Sequence, residues 1–365
     1  MSVPFSGILE IESKGFGFVR PLSLQLQRKP DDVYVPQSFI EKYNLRTGAF
    51  LEGTANRSGS GKTQVQTIEK VNGLAPDKWA AVRDFSEYDV IQPNKMIRLA
   101  KKEANASMRI VELFCPIGKG QRALIVSPPK AGKTMFLQQL AHAISANNPD
   151  IDDVLVLLID ERPEEVTDMK RSIRGQVFAS SSDSERGDHV HLAQFVLEYA
   201  KRKVETGKDV VLLIDSLTRM GRAFNIHQRS SGHTMSGGVD ARALEIPKRL
   251  FGAARKLEHG GSLTIIATVL VDTGSRMDEL IFQEFKGTGN MELILNRDLA
   301  NERIFPAINL QESGTRREEL IFGDKTETHQ ALRRSIARMS QREAMLSVLK
   351  LIGTYKTNEE LLAKF

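Results

Sequence analysis

Lys133 and Thr134 close the run Ser127-Pro-Pro-Lys-Ala-Gly-Lys-Thr134, which the apolar Ala123-Leu-Ile-Val precedes and Met135-Phe-Leu-Gln-Gln-Leu-Ala follows. A glycine-bearing loop between a buried strand and a helix offers backbone N–H groups and a helix N-terminus to phosphate. Lys130, Ala131, Gly132, Lys133, Thr134 and Met135 are the predicted nucleotide contacts. Lys133 would reach the β- and γ-phosphates, and the Thr134 hydroxyl would be a ligand of Mg²⁺. Ser127 stands where the usual pattern has its first glycine. A second Gly-Lys-Thr, Gly61-Lys62-Thr63, runs on into Gln-Val-Gln-Thr-Ile-Glu-Lys-Val, which continues as strand. That copy reads as a hairpin turn.

The partner of a phosphate loop is an apolar strand ending in a carboxylate for the magnesium shell, and Val210-Val-Leu-Leu-Ile-Asp215 fits. Ser216 follows, so the carboxylate that orients water must come from elsewhere. Val154-Leu-Val-Leu-Leu-Ile-Asp160-Glu161 supplies one. Glu161 is the predicted base, at the tip of a strand expected beside the phosphate strand; hydrolysis of this kind needs positioning and electrostatics more than covalent chemistry. The competing reading is that Asp160 and Glu161 cap the next helical turn.

These side chains need a doubly covered parallel sheet. Continuous Val/Leu/Ile runs at 122–127, 154–160, 210–215, 262–268 and 291–296, separated by long helical segments, have that character. Before them, residues 1–72 alternate over several short strands broken by turn residues, as in a small barrel. The expected organisation is a barrel at 1–72, a linker at 73–108 with Pro76 and Pro93 as breakers, an α/β motor at 109–324, and a helical extension at 325–365. In that extension Leu332, Ile336, Met339, Leu346 and Leu349 are the apolar positions, and Thr357 with Glu360 forms a candidate capping box.

The 365 residues, 41% hydrophobic and 27% charged, suit two or three globular domains rather than a disordered chain. A single cysteine, Cys115, excludes an internal disulfide and a cysteine-cluster metal site. Apolar runs fall far short of the ~20 residues that span a bilayer, and no secretory signal is visible, so the chain reads as cytoplasmic, without a membrane partner. The net charge of +5 permits a polyanionic partner without requiring one.

Gly15-Phe16-Gly-Phe18-Val-Arg20 places two rings on one face of a strand, and Tyr34 offers a third from the next. Flat rings on an exposed strand stack single-stranded bases; the alternative is ordinary barrel core. Taken with Pro30-Asp-Asp-Val-Tyr-Val35, Asn44-Leu-Arg-Thr-Gly48, the phosphate loop, Asp160-Glu-Arg-Pro-Glu-Glu-Val-Thr-Asp168, Gly237-Gly-Val-Asp240, Asp272-Thr-Gly-Ser275 and Phe285-Lys-Gly-Thr-Gly-Asn290, the chain resembles the Rho family of transcription termination factors.

The resemblance implies an all-β OB (cold-shock-like) barrel followed by an α/β RecA-like P-loop NTPase domain with a helical C-terminal tail, six copies forming a ring. It also implies single-stranded RNA as partner, ATP-driven translocation toward the 3′ end, and release of RNA from an RNA polymerase transcription complex. The family's phosphate lysine falls on Lys133, its magnesium ligands on Thr134 and Asp215, and its base on Glu161. Its cross-subunit arginine finger falls on Arg316, a second phosphate-sensing arginine on Arg303, and its adenine-stacking aromatic on Phe305; for the arginines the plain alternative is a surface ion pair. The base-contacting set falls on Phe16, Phe18, Arg20, Asp32 and Tyr34. Two loops, 230–239 and 272–278, match the family's RNA-gripping loops, with His233 and Arg276 where lysine is usual. The family commonly has a small helical module ahead of the barrel and an aromatic in the second base pocket, near residues 58–71; this sequence shows neither. The readings that compete are a rotary or secretion ATPase of the same lineage and an RNA chaperone with a decayed motor.

Overall fold

The computed structural model describes residues 2–23, 25–57, 63–101, 105–182, 186–227, 239–240 and 242–365. Five strands, β1 (Ser2–Ile11), β2 (Gly17–Arg20), β3 (Val33–Val35), β4 (Phe50–Arg57) and β5 (Thr63–Val71), close a barrel in the order β1-β2-β3-β5-β4. Alternate residues face inward, so Leu9, Val19, Val35, Leu51 and Val65 make its core. The opposite face carries Glu10, paired across the strands with Phe18, which in turn pairs with Tyr34. Thr63 begins β5 where the second Gly-Lys-Thr ends; residues 58–62 lie outside the described residues.

The stretch read as a linker is built into both neighbours. A helix, Pro76–Ala80, buries Trp79 in the barrel core. Phe85 enters the motor core, and β6 (Val90–Ile91) pairs with β11 (Arg255–Leu257). Isolated anchors of this kind leave no periodic trace in sequence.

Nine strands form the second sheet. Beyond β6 and β11 they are β7 (Arg122–Ser127), β8 (Asp153–Glu161), β9 (Gln176–Ser181), β10 (Asp209–Asp215), β12 (Ser262–Leu270), β13 (Met291–Ile294) and β14 (Gly314–Thr315). The main path is β14-β13-β7-β12-β10-β8-β9, parallel except for the antiparallel edge strand β14. Apolar clusters lie on both faces, as continuous Val/Leu/Ile strands require.

Helices Thr326–Ile336, Gln341–Thr354 and Asn358–Leu362 fold back, placing Leu332, Ile336, Met345 and Val348 in the motor core. Met339 and Leu346 are exposed. Buried Arg109 ties this tail down through Asn358 Oδ1 and the carbonyls of Ile352 and Tyr355. The Thr357 cap is half of a capping box: Glu360 N–H donates to its hydroxyl, while the Glu360 carboxylate accepts from Lys356 N–H. The complete box is Ser340 with Glu343. Cys115 is buried, and burial pushes its thiol up to about 12. Among the described residues no helix is long and apolar enough to cross a membrane.

Candidate active site and nucleic-acid interface

The phosphate loop leaves β7 at Ser127 and enters the helix Lys133–Asn147 through Gly132, whose φ of 90° is left-handed. Glycine adopts that conformation without steric cost. Ser127 is fully buried, absent from the positive-φ positions, and donates its hydroxyl to the Pro128 carbonyl. A serine is thus accommodated where glycine is usual. Lys130 (φ 65°) and Gly132 are exposed along the loop, Ala131 is buried, and Lys133 and Thr134 are half-buried.

The Lys133 ammonium is hydrogen-bonded to Asp215 Oδ1 and lies 3.8 Å from Glu161 Oε1. Asp215, at the end of β10, also accepts from the Thr268 hydroxyl at 2.7 Å, which fixes its orientation. Glu161 is buried, and neither of its oxygens accepts a hydrogen bond. Burial, and after it the charge of Asp215, push its carboxyl up to about 7 against the pull of Lys133 and Arg219. Neither Asp160 nor Glu161 caps the following helix, whose N-cap is Arg162 without a side-chain hydrogen bond.

One expectation fails in detail. The strand of Glu161, β8, is not beside the phosphate strand: β10 and β12 separate it from β7. It lies beside β10, with Leu158 opposite Asp215. The pattern of one strand carries no information about its neighbours; Lys133, carried past the end of β7 by the loop to the start of the next helix, is what comes within 3.8 Å of Glu161.

Arg219 is a site residue that the sequence reading missed. It projects from the helix Leu217–His227, donates to the Asp160 carbonyl and lies 3.2 Å from Glu161 Oε2. Its only signal in sequence is its place four residues after Asp215, at the start of a helix.

Among the described residues no group of three or more His, Cys, Asp or Glu could hold a metal alone. Thr134 and Asp215 supply hard oxygen donors beside the loop, a set suited to magnesium shared with substrate phosphates. Met135 and Phe305, both well exposed, flank a cavity of about 280 Å³ also lined by Gly132, Phe136 and Pro306. A flat apolar base fits such a slot.

The two arginines part company. Arg303 is exposed, two residues before Phe305, and follows β13, whose Ile294 is level with Val126 near the phosphate loop. Arg316 follows Thr315 of β14, opposite Met291, which is level with Ala123. Ala123 lies four residues back from Ser127, ~13 Å along the strand at ~3.3 Å per residue. Arg316 is exposed at the far end of the sheet from Lys133, away from its own chain's phosphate loop.

On the barrel, Phe16, Phe18 and Tyr34 are half-exposed and mutually in contact, with ring centres 5.5–5.8 Å apart. Arg20 and Asp32 are buried instead, paired with each other, and Arg20 also holds Glu10. Asp32 Oδ1 has no hydrogen-bond partner. Arg276 is exposed at the start of the helix Arg276–Lys286. Its loop is pinned at the base, where Asp278 accepts from Thr273 and from Arg222. His233 and most of the other loop lie outside the described residues.

Residues 5–77 match the Rho termination factor RNA-binding domain, and residues 107–315 the nucleotide-binding domain of the ATP synthase alpha/beta family. The transcription termination factor Rho of Borreliella burgdorferi is 49% identical over 98% of this chain and 70% of its own length. That of Chromobacterium violaceum is 48% identical over 97% of this chain and 86% of its own. A solved ATPase from a bacterial type III secretion system superposes with a TM-score of 0.63 at 22% identity, over 83% of this chain and 93% of that one.

Proposed function

The chain belongs to the transcription termination factor Rho family, and from that premise we propose that it is an RNA-stimulated ATPase that translocates 5′ to 3′ and releases nascent RNA from the RNA polymerase transcription complex. Nucleotide binding and an RNA-binding barrel come with the family; the helicase action, Mg²⁺, a homohexamer and a cytoplasmic setting are the proposed part. The observation that carries it is the pairing, in one chain, of a three-ring face on a barrel with a buried Glu161 that accepts no hydrogen bond, beside Lys133 and Asp215.

Lys133 exchanges its bond to Asp215 for the terminal phosphates of ATP, while the backbone N–H groups of the loop hold the others. Phe305 and Met135 clasp the adenine. Held between Thr134 and Asp215, a magnesium ion would screen charge on the β- and γ-phosphates. Glu161 accepts a hydrogen bond from the attacking water, aligns it and takes its proton. Arg219 keeps that carboxylate aimed. Arg316 of a neighbouring chain stabilises the charge of the transition state, so hydrolysis depends on an interface. Exposed Arg276, on a loop anchored at its base, grips RNA phosphate.

The test is ATP turnover with cytosine-rich RNA, uridine-rich RNA, DNA or no nucleic acid. Stimulation by RNA is expected. A rate indifferent to RNA would overturn the proposal and favour a motor of the secretion type.

A further inference from the structure

The rings of the barrel do not stand on the barrel alone. The Arg20 guanidinium carbon lies 5.5 Å from the centre of the Phe18 ring, within cation–π range. Arg20 is 2% exposed, too enclosed to reach out to a ligand. It is held by Glu10, whose Oε2 accepts from Arg20 Nε at 2.9 Å. The other oxygen of Glu10 faces the motor: Oε1 is 2.6 Å from Nε2 of His191 on the helix Arg186–Glu205. His191 is itself set by Phe195 one turn on, with ring centres 5.6 Å apart. Burial pushes the Glu10 carboxyl up, but the hydrogen bonds from His191 and Arg20 overcome this and hold it at about 2.

We propose that His191 is a positioning residue for RNA binding: by fixing Glu10 it fixes Arg20 against the Phe18 ring, so the long helix of the motor sets the geometry of the stacking face. The proposal rests on the reading that this face binds RNA. A carboxylate bonded through one oxygen to each side cannot pivot. Without His191, Oε1 turns toward exposed Arg28, already at 3.4 Å, and the grip on Arg20 loosens. The Arg20 guanidinium, left to Asp32 alone, then sits less firmly against the Phe18 ring, and a base stacking there must order that ring as well.

The experiment uses the full chain and a short labelled cytosine-rich RNA, read by fluorescence anisotropy. His191→Ala and His191→Gln are each measured with Phe18 intact and with Phe18→Ala. His191→Ala is expected to weaken binding ~3- to 10-fold, the size of coupling between contacting groups. His191→Gln, which keeps a side-chain donor, stays near the parent, and neither change matters in the Phe18→Ala background. An equal loss in both backgrounds, or a glutamine variant as weak as alanine, overturns the proposal, because a merely structural role behaves that way. If Phe18→Ala weakens binding and His191→Ala does not, the proposal alone falls. If Phe18→Ala binds as tightly as the parent, the RNA reading of the face falls with it.

Discussion

Lys133 answers to two carboxylates, bonded to Asp215 and 3.8 Å from Glu161. Removing its charge leaves both acids without their shared cation and the phosphates without an anchor. Lys133→Ala should therefore abolish ATP turnover while RNA affinity, measured on the same protein, stays at the parent value. Glu161 gives the pH dependence. A base acts only when deprotonated, and this one is pushed up to about 7, so kcat/KM for ATP should rise with pH through that region. Glu161→Gln should flatten that limb and lower the rate by ~10²–10⁴-fold. On the barrel, Phe18→Ala should weaken RNA binding by ~1–3 kcal/mol, the usual worth of one base–ring stack. Lys133, Asp215 and Glu161 were legible because each ends an apolar strand or opens a helix. Arg219 was not, since a helical arginine looks the same whether it faces solvent or a carboxylate. The burial of Arg20 was equally hidden: its two acids, Glu10 and Asp32, stand on either side of it in sequence without any spacing rule to mark them.

The helix Arg186–Glu205 joins the two halves of the chain. Besides His191, its Arg202 carbonyl accepts from the Asn72 side-chain amide, whose Oδ1 accepts from Phe50 N–H of the barrel. Arg46 of the barrel reaches Glu205 at 3.2 Å. Gly48 packs directly on the helix: its φ is 91°, and a Cβ there would lie 2.4 Å from the backbone carbon of Glu198. Gly48→Ala should therefore push the barrel off the helix at a cost of roughly 1–3 kcal/mol or more. Calorimetry would read this as a barrel transition moved to lower temperature; a thermogram identical to the parent's would refute the close fit. The strong apolar strands of the motor were readable from composition. Edge strand β9, Gln-Val-Phe-Ala-Ser-Ser, was not, because half of it, Gln176, Ser180 and Ser181, is polar. Strand order also escaped, since only tertiary pairing fixes it.

Across the whole molecule, Lys133 and Arg316 sit at opposite ends of one sheet, with Arg316 on its edge. On the proposed arrangement each chain lends its arginine to the next. Two inactive proteins, Lys133→Ala and Arg316→Ala, should then regain activity when mixed and reassembled. Chance placement puts an intact loop opposite an intact arginine at roughly a quarter of head-to-tail interfaces. ATP turnover by the mixture checks this, and no recovery at any mixing ratio would place the arginine's role within its own chain.

That separation also changes what there is to count. A row of chains joined head to tail ends with a loop that no arginine visits and, at its other end, an arginine with no loop to serve. On the proposed arrangement the number of working catalysts would therefore be the number of joints, one fewer than the number of chains until the row closes on itself. Opening a single joint would then silence a single catalyst while each chain kept its own fold.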